Sequence, residues 1–333
     1  TADTADTADT ADTADTAEPS DLDEDGYTTE DGDCDDSDDS IYPGAEETSW
    51  DDIDQDCDGE DLHDYNAVSA GAYHTCGITS LGTVECWGYD FYGQASDAPS
   101  GSDFVAMSGD YYHNCVIDSA GSIECWGYDG YNQASGAPTD SGYAMVSSGY
   151  FHNCTIDGAG AIGCWGLDDD DQVSNIPTST TFTSVTAGAA HSCALDSAGS
   201  IECWGQDDYD QVTDTPTGSG YIAVNAGGHH NCAIDAAGSV ECWGYDHFDQ
   251  VSGAPTGSGY TALTSDYDHN CTLDTAGTIE CWGNDEDNQI TDTPTGSGYT
   301  AVNAGGAHNC AIDSADTVTC WGKDDYYQVS DIP

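Results

Sequence analysis

Acidic side chains at alternate positions are the first feature that implies chemistry. Asp21, Asp23 and Asp25 precede Gly26, with Tyr27 offering its carbonyl next. Such spacing lets one loop turn several hard oxygens onto a Ca²⁺ ion. The alternation returns at Asp52, Asp54, Asp56 and Asp58, and Asp33 and Asp36 lie between the two runs. An EF-hand is excluded, because the twelfth loop position is Gly32 where a Glu is required and no amphipathic helices flank the loop. An acidic linker that binds no ion is the competing reading of these residues.

Cysteine and histidine come next. Cys76, Cys115, Cys154, Cys193, Cys232, Cys271 and Cys310 each have a partner ten positions on, at Cys86, Cys125, Cys164, Cys203, Cys242, Cys281 and Cys320. Two cysteines ten apart with one histidine are not a structural zinc pattern. The spacing straddles a hairpin turn, so each pair is expected to bridge neighbouring strands and to stabilise by about 2–3 kcal/mol. His74, His113, His152, His191, His230, His269 and His308 each stand two residues before the first cysteine. A residue present once per repeat ordinarily serves the repeat's own packing, so a ring of metal-binding imidazoles is the weaker reading. The Trp of each Trp-Gly pair, from Trp87 to Trp321, reads as core with its indole N–H on a backbone acceptor. Acidic loops such as Asp168-Asp169-Asp170-Asp171 and Asp285-Glu286-Asp287 read as solvated faces. No nucleophile with a paired base and no phosphate-cradling loop occurs. Catalysis normally breaks repeat symmetry, and nothing in the pattern breaks it, so no enzyme is expected.

The elements that position these residues follow from the period. Each cysteine lies 39 residues from its counterpart, and residues 61–333 hold seven such units, the signature of a propeller or solenoid. Short alternating apolar runs flank turn signals, as in Asn231-Cys232-Ala233-Ile234-Asp235 before Ala236-Ala237-Gly238. No segment has a helical period. The last unit stops at Pro333 without its Gly-Tyr-x-Ala-Val strand, whereas Tyr65-Asn66-Ala67-Val68-Ser69 supplies a matching one near the start. The expected fold is therefore all-β, a seven-bladed β-propeller with N/C-terminal strand closure that leaves no edge unpaired. A small Ca²⁺-binding loop segment and an extended low-complexity tail precede it.

Composition divides the chain into residues 1–19, 20–60 and 61–333. The first holds five Thr-Ala-Asp copies; it has no large apolar side chain to offset its ordering entropy. A three-residue period matches polyproline II, which would align Thr1, Thr4, Thr7, Thr10, Thr13 and Thr16 as one stripe open to O-glycosylation or docking on a neighbour. Across the chain, 64 Asp plus Glu face the single base Lys323, for a net charge of −63. Nucleic acid and anionic membranes are excluded as partners, since both need Lys and Arg. Bound calcium, cross-links or a saline setting would offset the self-repulsion. Sixteen cysteines indicate an oxidising compartment. No apolar run reaches the ~20 residues of a membrane span, and a start at Thr1 without an initiator Met reads as a processed N-terminus.

Two resemblances sharpen the picture. The Asp21 to Tyr27 start, Asp33-Cys34-Asp35-Asp36, Pro43-Gly44-Ala45-x-Glu47 and Cys57-Asp58-Gly59 resemble the Asp- and Cys-rich metal-binding motif of secreted bacterial proteins, and more loosely thrombospondin type 3 repeats. That resemblance implies one or two Ca²⁺ ions within residues 20–60 and a Cys34 to Cys57 bridge. The pattern Ala-Gly-x-x-His-x-Cys through Cys-Trp-Gly-x-Asp-x-x-x-Gln, repeated over 61–333, is similar to the regulator of chromosome condensation repeat, which implies a seven-bladed propeller. The family's nuclear member exchanges nucleotide on a small GTPase and docks on chromatin, for which a disulfide-rich chain with one Lys is ill suited; a secreted bacterial relative inhibits β-lactamase. This chain places Asp where Asn is common, at Asp90, Asp129, Asp168, Asp207, Asp246, Asp285 and Asp324.

The function expected from these features is structural: a secreted, Ca²⁺-stabilised subunit of an extracellular or cell-surface filament or layer, self-associating through the N-terminal tail. The alternative is a monomeric adhesin or inhibitor-like module that binds glycans or another surface protein. The Asn153 and Asn270 sequons carry little weight, because they fall in expected strands.

Overall fold

The computed structural model describes residues 21–45, 47–48, 51, 53–57, 64–179 and 182–333. The Thr-Ala-Asp tail with its six threonines, Asp52, Asp58 and the boundary at 60/61 lie outside the described residues. The chain forms two units, divided between His63 and Asp64.

In the second unit, among the described residues, the strands β1 to β21 form seven three-stranded antiparallel sheets. The first sheet is β1 (Tyr65–Ala70), β2 (His74–Thr79) and β3 (Val84–Gly88), and the seventh is β19 (Tyr299–Ala304), β20 (His308–Asp313) and β21 (Val318–Gly322). β-Branched and aromatic residues supply the strands, and an Asp closes the hairpin in every blade but the first, where Thr79 Oγ1 accepts the Thr83 N–H. In the fourth sheet Asp196 Oδ1 accepts the Ala198 and Ser200 N–H groups, both at 2.8 Å. Gly199 turns the chain there at φ +77°, and a Cβ at that point would meet Gly220 N at 2.6 Å. In every hairpin the two cysteines are directly opposite, as Cys193 is to Cys203 with Cα atoms 4.0 Å apart.

The core consists of seams between blades. Cys154 and Ile156 of blade three pack on Phe182, Val185, Ala194 and Trp204 of blade four, and corresponding clusters join blades one and two, two and three, four and five, and six and seven. At each seam an inner-strand side chain of one blade accepts a backbone N–H of the next. Ser69, Ser108, Ser147, Thr186, Asn225, Thr264 and Asn303 take Gly109, Ser148, Ala187, Ala226, Ser265, Ala304 and Ala70 at 2.7–3.0 Å. The last of these bonds joins blade seven to blade one and completes the circle.

Closure differs from the strand exchange expected from phase. β1 pairs with β2 inside the first blade, and β19, β20 and β21 form a complete seventh sheet. The C-terminal loop makes the join instead: the Gln328 carbonyl accepts Trp87 Nε1 and Thr75 Oγ1, both at 3.0 Å. The physical reason is that the loop after each third strand serves the next blade, so a ring beginning at β1 needs its final loop, not a final strand, to reach back.

Candidate functional site

In the first unit the carboxylates alternate inward. Asp21, Asp23 and Asp25 are half-buried while Leu22, Glu24 and Gly26 are exposed. The three carboxylates each bring an oxygen to within 4.8 Å of the others, and Glu47, Asp54 and Asp56 make a second such group. Asp33 is buried, and Asp23 Oδ2, Asp25 Oδ2 and Asp33 Oδ2 are buried oxygens with no hydrogen-bond partner. Desolvation, together with the charges of Asp25, Asp33 and Asp21, raises the Asp23 pKa against the N–H bond it accepts from Asp25. A cation would supply what these oxygens lack. Asp36 Oδ1 accepts Leu22 N–H at 3.2 Å, and Tyr27 stacks on Tyr42 at 5.5 Å. Cys34 and Cys57 are joined, with Cα atoms 5.7 Å apart. Sequence reasoning left Glu47 out of the ligand set, although the quoted motif contains it.

In the propeller the once-per-blade residues are taken up by the fold. All seven histidines are fully buried. Nε2 of each meets a side-chain oxygen of the next blade at 2.7–2.8 Å, as His191 meets Asn231 and His308 meets Thr75 across the closing seam. Burial pushes the imidazoles down to about 4, or about 3 for His152 and His308. They are neutral, and with Asn Oδ1 as acceptor Nε2 carries the proton. Each indole N–H donates to the carbonyl of the preceding loop's Gln, as Trp243 does to Gln211 at 3.0 Å. Each Asp of the Trp-Gly-x-Asp run folds its own loop; Asp246 Oδ1 accepts Val251 and Ser252 N–H at 2.8 and 2.9 Å. Desolvation opposes ionisation there, but those bonds hold the pKa below its usual value. Asn153 and Asn270 are fully buried and donate to Gln133 and Gln250 carbonyls, which leaves neither sequon open to a sugar on the folded chain.

What remains is the set of positions that vary between blades. The tips between first and second strands carry Tyr73, Tyr111-Tyr112, Tyr150-Phe151 and Tyr267 in blades one, two, three and six, but Ala189-Ala190 in blade four and Gly306-Ala307 in blade seven. The rings form one connected surface: Tyr326 lies 4.8 Å from Tyr89, Tyr92 4.9 Å from Tyr128, and Tyr131 5.3 Å from Phe151. Phe91 is 74% exposed and Tyr326 42%. Against this surface opens a cavity of 350 Å³ whose lining includes Tyr73, Tyr111, Phe248, Tyr267, Asp268, Glu286, Asp287 and Lys323. Lys323 is shared between Asp287 and Asp325, at 3.5 Å from each. Aromatic faces beside carboxylates make a site for binding. The expectation that nothing breaks the seven-fold pattern is corrected here: the tip residues do, and so do Asp110 and Asp266, which stand where the other blades have glycine. Comparing the tips of the seven repeats, rather than their shared positions, would have found them.

Comparison with known proteins finds matches in both units. Residues 33–61 match the family Cu-binding_MopE, described as "Putative metal-binding motif". Residues 66–94, 182–211 and 299–328 match the regulator of chromosome condensation (RCC1) repeat. No curated protein sequence matches the chain. Among solved structures, the ectodomain of the Physcomitrella patens receptor kinase CR4 is 26% identical with a TM-score of 0.67, over 78% of this chain and 74% of that one. The CRINKLY WD40 ectodomain of the Arabidopsis thaliana receptor kinase ACR4 is 23% identical with a TM-score of 0.63, over 78% and 98%. Human WBSCR16 shares the fold at 14% identity and a TM-score of 0.61, over 74% and 85%. Eight disulfides and the likeness to ectodomains point to an extracellular module. Among the described residues no helix is long and apolar enough to cross a membrane. The chain is thus similar, in three of its seven blades, to the regulator of chromosome condensation (RCC1) repeat and, over residues 33–61, to the Cu-binding_MopE motif.

Proposed function

We propose that this chain is a secreted binding module, displayed outside the cell, whose aromatic face takes a cationic segment of a partner protein. The observation that carries the reading is the 350 Å³ cavity, where Tyr73, Tyr111, Phe248 and Tyr267 stand with Asp268, Glu286 and Asp287. Lys and Arg side chains are attracted by ring faces and by carboxylates alike, and a net charge of −63 steers cations toward the surface. Exposed tyrosines are also the residues that most often anchor protein interfaces. Titration calorimetry with Arg/Lys-rich peptides tests this: binding that weakens with added NaCl and is lost in a Tyr73→Ala/Glu286→Gln variant supports it. Peptides that fail to bind while neutral oligosaccharides do would replace it with glycan recognition.

The metal of the first unit is, on this reading, Ca²⁺: one ion at Asp21, Asp23, Asp25 and Asp33, and a second at Glu47, Asp54 and Asp56. The donors are hard oxygens, both cysteines are in a disulfide, and residues 21–57 contain no His or Met. That set suits Ca²⁺ and not copper. The ions and the Cys34–Cys57 bridge clip a segment too small and too acidic to hold a core of its own.

A second reading keeps the chain as a subunit of a filament or layer that self-associates through residues 1–19. The five Thr-Ala-Asp copies favour it, since a strict period presents the same stripe to any docking subunit. Removing residues 1–19 should then leave monomers; polymers that survive the truncation exclude the tail as the coupling.

A further inference from the structure

The inner end of each first strand carries the sharpest departure from seven-fold repetition. Blades one, three, four, five and seven have Gly71, Gly149, Gly188, Gly227 and Gly305, where a Cβ would lie 2.1–2.4 Å from a backbone carbonyl or a His ring. Blades two and six have Asp110 and Asp266 instead. They make room by running one residue longer: β4 (Phe104–Asp110) and β16 (Tyr260–Asp266) end with Asp110 opposite His113 and Asp266 opposite His269.

Both carboxyls line the axial cavity of 90 Å³, which every blade borders. Each is only 7% exposed. One oxygen of each accepts the next residue's N–H, from Tyr111 and from Tyr267, both at 2.6 Å. Ser265 lines the same cavity, is 8% exposed, and its Oγ has no partner. It stands apart from the other polar side chains of the lining, which carry the hydrogen bonds of the blade seams. Tyr150 stacks on Tyr111 at 4.9 Å and on Tyr267 at 5.6 Å, so a run of three rings joins blade two to blade six beside the carboxyls.

Two carboxylates in so confined a space repel each other and are poorly solvated. Burial raises Asp266 to about 7, and burial with the Asp266 charge raises Asp110 well above the usual carboxylate range. Left alone, the pair keeps a proton near neutrality. A hard cation removes the same conflict and also gives the orphaned hydroxyl a partner, which a shared proton does not.

We propose that the axial cavity is a binding site for one divalent cation of the Ca²⁺ class, held by Asp110, Asp266 and Ser265 Oγ. A volume of 90 Å³ admits the ion with two or so waters, each taking about 30 Å³, to complete an oxygen coordination shell. The site sits within the ring itself and ties blade two to blade six.

Calorimetric titration of the chelator-stripped full chain with Ca²⁺, and with Tb³⁺ read by tyrosine-sensitised emission, tests this. An Asp110→Asn/Asp266→Asn variant should bind one ion fewer than wild type. An Asp21→Asn/Asp23→Asn/Asp25→Asn variant should keep the axial ion, which separates this site from the first unit. Ser265→Ala, which leaves both carboxylates and the fold in place, should weaken the axial site by roughly tenfold. Equal stoichiometry in wild type and the Asp110/Asp266 variant overturns the proposal. So does a Ser265→Ala chain that binds as tightly as wild type, or a pair that merely titrates near pH 7 with no response to Ca²⁺.

Discussion

Acid should open the propeller through its histidines before it neutralises its carboxylates. His191 is fully buried, with Nε2–H donating to Asn231 Oδ1 at 2.8 Å. Burial lowers its pKa from 6.5 to about 4, against the Asn231 bond and the attraction of Asp207, with the nearby His229 adding to the fall. The folded value lies below the unfolded one, so the unfolded chain binds the extra proton. Stability is therefore intact above pH 6.5 and is lost progressively as the pH falls toward 4. At pH 5 this one group costs about 2 kcal/mol, and three such groups reach the lower end of the about 5–15 kcal/mol that holds an ordinary domain folded. Asp110 and Asp266 act in the opposite sense, because their raised pKa values favour the folded state as pH falls, but seven histidines outnumber them. The loop aspartates have lowered pKa values, so their contribution fades only below this window. Guanidinium denaturation of the chelator-stripped chain at pH 7.5, 6 and 5, with disulfides intact and read by Trp fluorescence, should show the midpoint falling at each step. His191→Gln should make that dependence shallower by the share of one group, leaving the other six histidines in place. A midpoint unchanged between pH 7.5 and 5 refutes the claim that the imidazoles are held neutral.

Three further outcomes follow from named contacts. Replacing Cys232 and Cys242 by Ser should lower unfolding stability by about 2–3 kcal/mol, the loop-closure contribution of a bridge this short; an unchanged denaturation midpoint contradicts it. Asn303→Ala removes the acceptor for Ala70 N–H at the closing seam and should cost about 1–3 kcal/mol, with hydrogen exchange quickening at Ala70 while Ala187, bonded to Ser147 at a distant seam, stays slow. EGTA, or Asp23→Asn, should expose residues 21–57 to proteolysis while leaving the Trp emission of the propeller unchanged; equal protection with and without Ca²⁺ argues against an ion there.

Blade count, strand pattern and turn positions were legible because each repeat writes its own alignment. Cys193 and Cys203 had to be opposite once the turn at Asp196 to Gly199 was located, since a hairpin of fixed loop length fixes its register. The closing element was less legible. The sequence displays a strand-like match at Tyr65, but not which neighbour that segment pairs with. The answer depends on the Gln328 carbonyl reaching Trp87, a tertiary contact. Periodicity also hid the seam bonds, because Ser69, Thr186 and Asn225 look like ordinary polar substitutions until the accepting oxygen is seen to be what they share.

The same logic explains where function resides in a molecule of this kind. A residue that recurs seven times is under identical packing demand seven times, and His, Trp, Gln and the loop Asp are each committed to a neighbouring blade or to their own turn. Such residues cannot also meet a ligand without loosening a seam. Freedom is left to the side chains at and beside the strand tips, which accept none of the seam bonds. It is there that the chain places Tyr111, Tyr150 and Tyr267, exposes Phe91, and exchanges glycine for Asp110 and Asp266. Exposed aromatic area is a cost in water and burying two carboxylates is a larger one, and neither improves a ring that the other blades build without them. A repeat protein that accepts both costs at adjoining positions carries there the features on which the proposed binding roles rest.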